Sequence, residues 1–155
     1  MSDSFAMSAV NLAGDGLGAF IGEVWDIAID DQGDFLLAGV NQDIDIGTIW
    51  FNTSPNPSSI EDWNLVNIDA LLSIDENNAT RFYGACRDGD RLLAVGDYSQ
   101  RSIGMAMLST DGGASWIEAT ADQDLPPLSK CQFINGTAYI VGASGLFAVL
   151  DPSKL

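Results

Sequence analysis

A few places in the chain set side chains capable of chemistry close together. Ser109-Thr-Asp-Gly-Gly-Ala-Ser-Trp116 holds an aspartate between two hydroxyls and beside two glycines, a grouping that could serve as a general acid, a cation ligand or a tight turn. Asn41-x-Asp43-x-Asp45 offers oxygens at alternate positions, as cation-binding loops do, but its glycine comes one place late and the twelfth position is Asn52, not an acid. A solvated hairpin loop is the expectation there, and no metal or other cofactor is expected. The chain has no histidine, which removes the commonest general base and transition-metal ligand. Cys86 and Cys131 are its only cysteines, with no CxxC beside either, and they read as two free buried thiols rather than a disulfide, metal site or nucleophile. Asn78-Ala-Thr80 and Asn135-Gly-Thr137 fit the glycosylation pattern, but Asn135 is better explained as a turn residue.

The elements that must position these groups come from a chain of 155 residues, enough for one domain with a real core. Twenty-two acidic against six basic residues give a net charge of −16, a field that repels phosphate backbones and anionic lipid. Nucleic-acid and membrane-surface roles are therefore not expected. The longest apolar runs, such as Leu146-Phe-Ala-Val-Leu150, fall far short of the roughly 20 residues that a membrane helix takes. The N-terminus lacks Lys, Arg and a sustained apolar stretch, so it does not read as a secretory signal.

Internal repetition organises the rest. Gly39 and Gly47 are spaced like Gly96 and Gly104, with an Ile before each second glycine. Upstream, Gly33-Asp-Phe-Leu-Leu-Ala-Gly39 matches Gly89-Asp-Arg-Leu-Leu-Ala-Val-Gly96, and Trp25-Asp-Ile-Ala-Ile aligns with Phe82-Tyr-Gly-Ala-Cys. Downstream, the two copies close on Trp63 and Trp116, and a third opens at Cys131-Gln-Phe-Ile-Asn-Gly136. Each copy holds short runs of Val, Ile, Leu and aromatics broken by Gly, Asn and Asp, the pattern of strands and turns. Asp88-Gly89 and Asn135-Gly136 predict two-residue hairpin turns. Four antiparallel strands in a repeat of about 40–50 residues are the signature of a β-propeller blade. The predicted fold is all-β, about three blades per chain, with 1–22 supplying one or more completing strands, 23–68 and 79–120 forming blades and 128–151 an incomplete one.

Ser109, Asp111, Gly113 and Trp116 resemble the Asp box of sialidase-like (BNR-repeat) propellers, with Ser115 where that family usually has Thr. Degenerate copies are read at Asp15, Gly16 and Phe20 and at Thr53 and Trp63. The resemblance implies a structural turn on the outer rim, away from the central ligand site, so no catalytic residue is assigned. Sialidases of this family also carry an arginine cluster and a Phe-Arg-Ile-Pro segment; this chain has four arginines, Arg81, Arg87, Arg91 and Arg101, and no such segment. Met105 to Glu118 is also similar to the repeats of photosystem II assembly/stability factors, non-catalytic propellers that bind proteins. The expected function is a non-catalytic propeller recognising a protein or glycan. The alternative is a glycoside hydrolase whose active site is shared between chains or truncated; convergence of Arg81, Arg87 and Arg101 on one pocket would favour it. Because fewer than four blades do not close a ring, two chains are expected to complete each other as a homodimer, unless the sequence is a piece of a longer propeller.

Overall fold

Runs rich in β-branched and aromatic residues, too short and too often broken by glycine for helices, form strands over more than half of the described residues. A computed structural model describes residues 22–41, 46–52, 55, 57–72, 79–121 and 123–152. The first sheet takes its strands in chain order, β1 (Gly22–Ile29), β2 (Phe35–Asn41), β3 (Ile46–Asn52) and β4 (Trp63–Leu65). A five-residue helix, α1 (Ile68–Leu72), follows. The second sheet repeats the pattern with β5 (Thr80–Asp88), β6 (Arg91–Tyr98), β7 (Ile103–Ser109) and β8 (Ile117–Glu118). The third has β9 (Leu128–Ile134), β10 (Thr137–Gly142) and β11 (Phe147–Leu150). Every pairing is antiparallel between neighbours in sequence, which is the meander expected of the repeats.

The sheets stack face to face, and two apolar layers fill the spaces between them. Leu36, Ala38, Ile49 and Phe51 of the first sheet meet Phe82, Ala85, Leu92, Ala94, Met105 and Met107 of the second. Leu93, Val95, Ala106 and Leu108 meet Leu128, Ala138 and Ile140 of the third. The middle sheet is thus covered on both sides, so Leu92-Leu93-Ala94-Val95 is continuously apolar and wholly buried. Each such Leu or Val contributes about 1.5–3 kcal/mol through burial.

The Asn135-Gly136 hairpin forms as expected, with both residues at positive φ between paired Ile134 and Thr137. The other hairpin lies one residue later. Asp88 pairs with Arg91, so the turn residues are Gly89 and Asp90, and of these Gly89 takes positive φ.

Cys86 and Cys131 are not free thiols: they form a disulfide between β5 and β9, with Cα atoms 5.7 Å apart. Neighbouring Arg87 reaches the other way. Its guanidinium meets Asp30 at 3.2 Å and Asp34 at 3.3 Å, and donates to the Phe35 carbonyl at 2.9 Å. Alternation along one strand explains the pair, since successive side chains of β5 point to opposite faces of the sheet.

Candidate binding site on the leading strands

The leading strands β1, β5 and β9 pack side by side, and each carries the same irregularity. The register slips between Val24 and Asp26 on β1, between Phe82 and Gly84 on β5, and between Lys130 and Leu128 opposite Val141 and Gly142 on β9. The extra residues of these β-bulges are Trp25, Tyr83 and Ser129. Opposite each stands one of the repeat glycines. A Cβ on Gly39 would fall on the Glu23 carbonyl, one on Gly96 on the Arg81 carbonyl, and one on Gly142 on the Pro127 carbonyl, 2.4 Å away in the last case. The glycines recur because the bulged backbone leaves no room for a side chain.

This register corrects the alignment of the repeats. Gly39 and Gly96 equate Trp25 with Tyr83, not with Phe82, and the leading strands shift by one residue throughout. Ala28 then corresponds to Cys86, and Ile27 to both Ala85 and Cys131. The two cysteines occupy adjacent, not equivalent, positions and so face one another across two sheets.

A bulge re-aims the side chain it adds. Trp25 and Tyr83 stack with ring centroids 5.2 Å apart and an interplanar angle of 2°. Trp25 keeps 36% of its surface exposed, and its Nε1 donates to Glu23 Oε2 at 2.7 Å. The Tyr83 hydroxyl faces Asp97 Oδ1 at 3.4 Å. Burial, followed by the Asp97 charge, raises the Tyr83 pKa, while Arg81 opposes that rise. One residue on, Asp26 joins all three sheets: Oδ2 accepts from the Ala85 backbone N–H at 2.9 Å, and Oδ1 meets Lys130 Nζ at 2.8 Å. The result is a partly open aromatic pair bordered by Glu23, Asp26 and Asp97, with Arg81 beside Tyr83 and Lys130 against Asp26. Such a surface can bind through stacking and cation–π attraction. Its signal in the sequence was the pair of equally spaced glycines, which point back to an aromatic residue in β1 and in β5.

Ser109, Asp111, Gly113 and Trp116 come together elsewhere, in the turn between β7 and β8. Asp111 Oδ1 accepts from Ser109 Oγ at 2.8 Å and from the Ser115 N–H at 2.9 Å, and its Oδ2 from Ser115 Oγ at 2.6 Å. Ser109 Oγ in turn accepts the Gly113 N–H at 2.9 Å, and Trp116 Nε1 donates to the Gly113 carbonyl at 3.1 Å. Hydrogen bonds from Ser115 first, then Ser109, lower the Asp111 pKa to about 2. Gly113 lies against the Phe51 ring of the first sheet, so the turn also abuts its neighbour. Trp63 begins β4 and packs against Phe35 at 6.0 Å, but its buried Nε1 has no hydrogen-bond partner among the described residues. Asp15, Gly16, Phe20 and Thr53 lie outside the described residues, as do Asp43, Asp45 and Asn78. Arg81 and Arg87 sit near opposite ends of β5, about 20 Å apart at strand spacing, so they do not share a pocket. Arg101 lines a third place, beside Tyr98 and Glu118. Among the described residues no three His, Cys, Asp or Glu side chains are grouped to hold a metal.

No family model matches the chain, and no curated protein does. Solved structures do. One described as "YCF48 bound to D1 peptide", a β-propeller photosystem II assembly factor, superposes with a TM-score of 0.61 at 20% identity. The match covers 85% of this chain and 37% of that one, so the chain spans little more than a third of the length of that neighbour. The likeness, with the antiparallel four-stranded sheets, makes the fold that of a β-propeller.

Proposed function

We propose that the chain is a non-catalytic binding propeller that recognises a protein segment through the leading-strand surface around Trp25 and Tyr83. The observation that carries this is the stacked, half-open pair raised by two bulges and bordered by Glu23, Asp26 and Asp97. A net charge of −16 favours a basic segment as the occupant, through both steering and cation–π contact. The peptide held by the propeller YCF48 supports the protein reading over a glycan one. In this reading the Ser109–Trp116 turn is a structural Asp box of the sialidase-like kind, using its carboxylate to hold a hairpin, and two chains complete one ring as a homodimer. The hydrolase reading loses its main support because Arg87 is taken up between Asp30 and Asp34.

Intrinsic tryptophan fluorescence, titrated with a lysine- and arginine-containing peptide, an acidic peptide and a neutral oligosaccharide, tests the proposal. Expected is saturable quenching by the basic peptide alone, weakening as salt rises. Trp25→Ala should lower that affinity at least about tenfold, the equivalent of about 1.4 kcal/mol. Unchanged affinity in Trp25→Ala would overturn the site, and release of reducing sugar would restore the hydrolase.

A further inference from the structure

The leading-strand surface already holds a cation of its own. Asp26, Gly84 and Lys130 are equivalent positions on β1, β5 and β9, each directly following a bulge residue. β5 packs against both of the other strands, and the Lys130 side chain reaches past it to Asp26 Oδ1 at 2.8 Å. The glycine between them lets β9 come that close. A Cβ on Gly84 would stand 2.9 Å from the Lys130 Cα and 2.7 Å from the Ser129 carbonyl oxygen. Only two lysines, Lys130 and Lys154, stand against 22 acidic residues in the chain, and one of them is placed here.

The two oxygens of Asp26 are held differently. Oδ2 accepts the Ala85 backbone N–H at 2.9 Å, which fixes the carboxylate on the second sheet whatever sits on Oδ1. Oδ1 meets a lysine whose side chain is 55% exposed. An ion pair this open is screened by water and holds a long side chain only weakly, so another cation can take its place. The Arg87–Asp30 pair, almost fully buried, offers no such exchange. A bare carboxylate beside the aromatic pair would accept any dissolved cation. One that carries a tethered ammonium yields only to a cation that gains something further, here contact with Trp25 and Tyr83.

We infer that Asp26 seats a lysine side chain of the bound segment and that Lys130 is a built-in competitor for that seat, displaced when the segment stacks on Trp25 and Tyr83. This rests on the reading of the aromatic pair as a peptide-binding surface and names the group that selects its occupant. One ammonium replaces another on Oδ1, Lys130 turns into solvent, and the Oδ2 contact to Ala85 stays. The exchange weakens binding overall and sharpens discrimination against cations that do not reach the rings.

Fluorescence titration of the full chain with a peptide carrying one lysine among uncharged residues, and with the same peptide acetylated at that lysine, tests it. Lys130→Met keeps the stem and removes the charge, so circular dichroism should not change. Its affinity for the lysine peptide should rise about fivefold, and Lys130→Gln should behave alike. Asp26→Asn, whose amide oxygen can still accept the Ala85 N–H, should bind the lysine peptide about fivefold more weakly than the wild type. Combined with Lys130→Met it should cancel the gain. The acetylated peptide should bind weakly, and equally, to the wild type and to Lys130→Met. A gain that persists in Asp26→Asn, or that the acetylated peptide shares, overturns the exchange. So does unchanged or weaker binding of the lysine peptide by both Lys130 variants while Trp25→Ala still impairs it, an outcome that leaves the surface standing. Full affinity in Trp25→Ala overturns the surface and the seat together.

Discussion

The interfaces on the two sides of the middle sheet share one framework and are locked by different chemistry. Between the first and second sheets the layer is bulky, with Phe51, Phe82 and Trp116 packed together and Phe51 against Trp116 at 6.3 Å. It is tied at one end by Arg87, whose side chain is 7% exposed, set against Asp30 at 3%. Between the second and third sheets the layer is aliphatic, and the tie is the Cys86–Cys131 bond. Arg87 and Cys86 are consecutive residues of one strand. The repeat specifies that two sheets meet at that height and leaves open whether charge or sulfur joins them.

Removing each lock tests that account. Arg87→Ala should cost the most, about 3–5 kcal/mol, because it leaves the Asp30 carboxyl group buried without its partner. Chemical denaturation would read the loss, and a change of less than about 0.5 kcal/mol, that of an ordinary surface substitution, would demote the ion pair to decoration. Cys131→Ser should cost about 2–4 kcal/mol, mainly by releasing the unfolded chain from a closed loop. Thiol titration of the native wild type should find no free thiol before reduction, and excess dithiol should bring its unfolding midpoint to that of the variant. Equal midpoints with and without reductant would contradict the cross-link.

The smallest effect belongs to the turn that abuts the first interface. The Asp111 pKa of about 2 in the fold lies below its ordinary value of 3.8, so the ionised form is the one that folding favours. Its contribution is complete above about pH 4 and disappears as pH falls towards 2. Asp111→Asn should flatten that part of the stability profile in acid denaturation, and an unaltered acid limb would mean that the carboxylate is not what holds the turn.

Much of this was legible beforehand, and the failures have a common cause. The strands, the Asn135-Gly136 hairpin and the repeat glycines follow from local chemistry and spacing. The bulges do not, because one extra residue on a leading strand leaves the apolar pattern looking continuous while it moves every later side chain to the other face. With Trp25 aligned on Phe82, the stacked pair with Tyr83 was hidden. The same slip made Cys86 and Cys131 look equivalent, and equivalent positions on neighbouring sheets point the same way and cannot bond. Arg87 reads as a possible pocket residue because nothing near it in sequence reveals that Asp30, one residue past the end of β1, meets its guanidinium.

The glycine-backed bulge also governs what such a chain can become. It inserts one position per repeat that answers neither to the hydrogen-bond ladder nor to the packed layers, and that position has been filled in turn by an indole, a phenol and a hydroxymethyl group. Substitution there alters what the molecule greets without disturbing what holds it up, so new specificities can be explored at little cost to the scaffold.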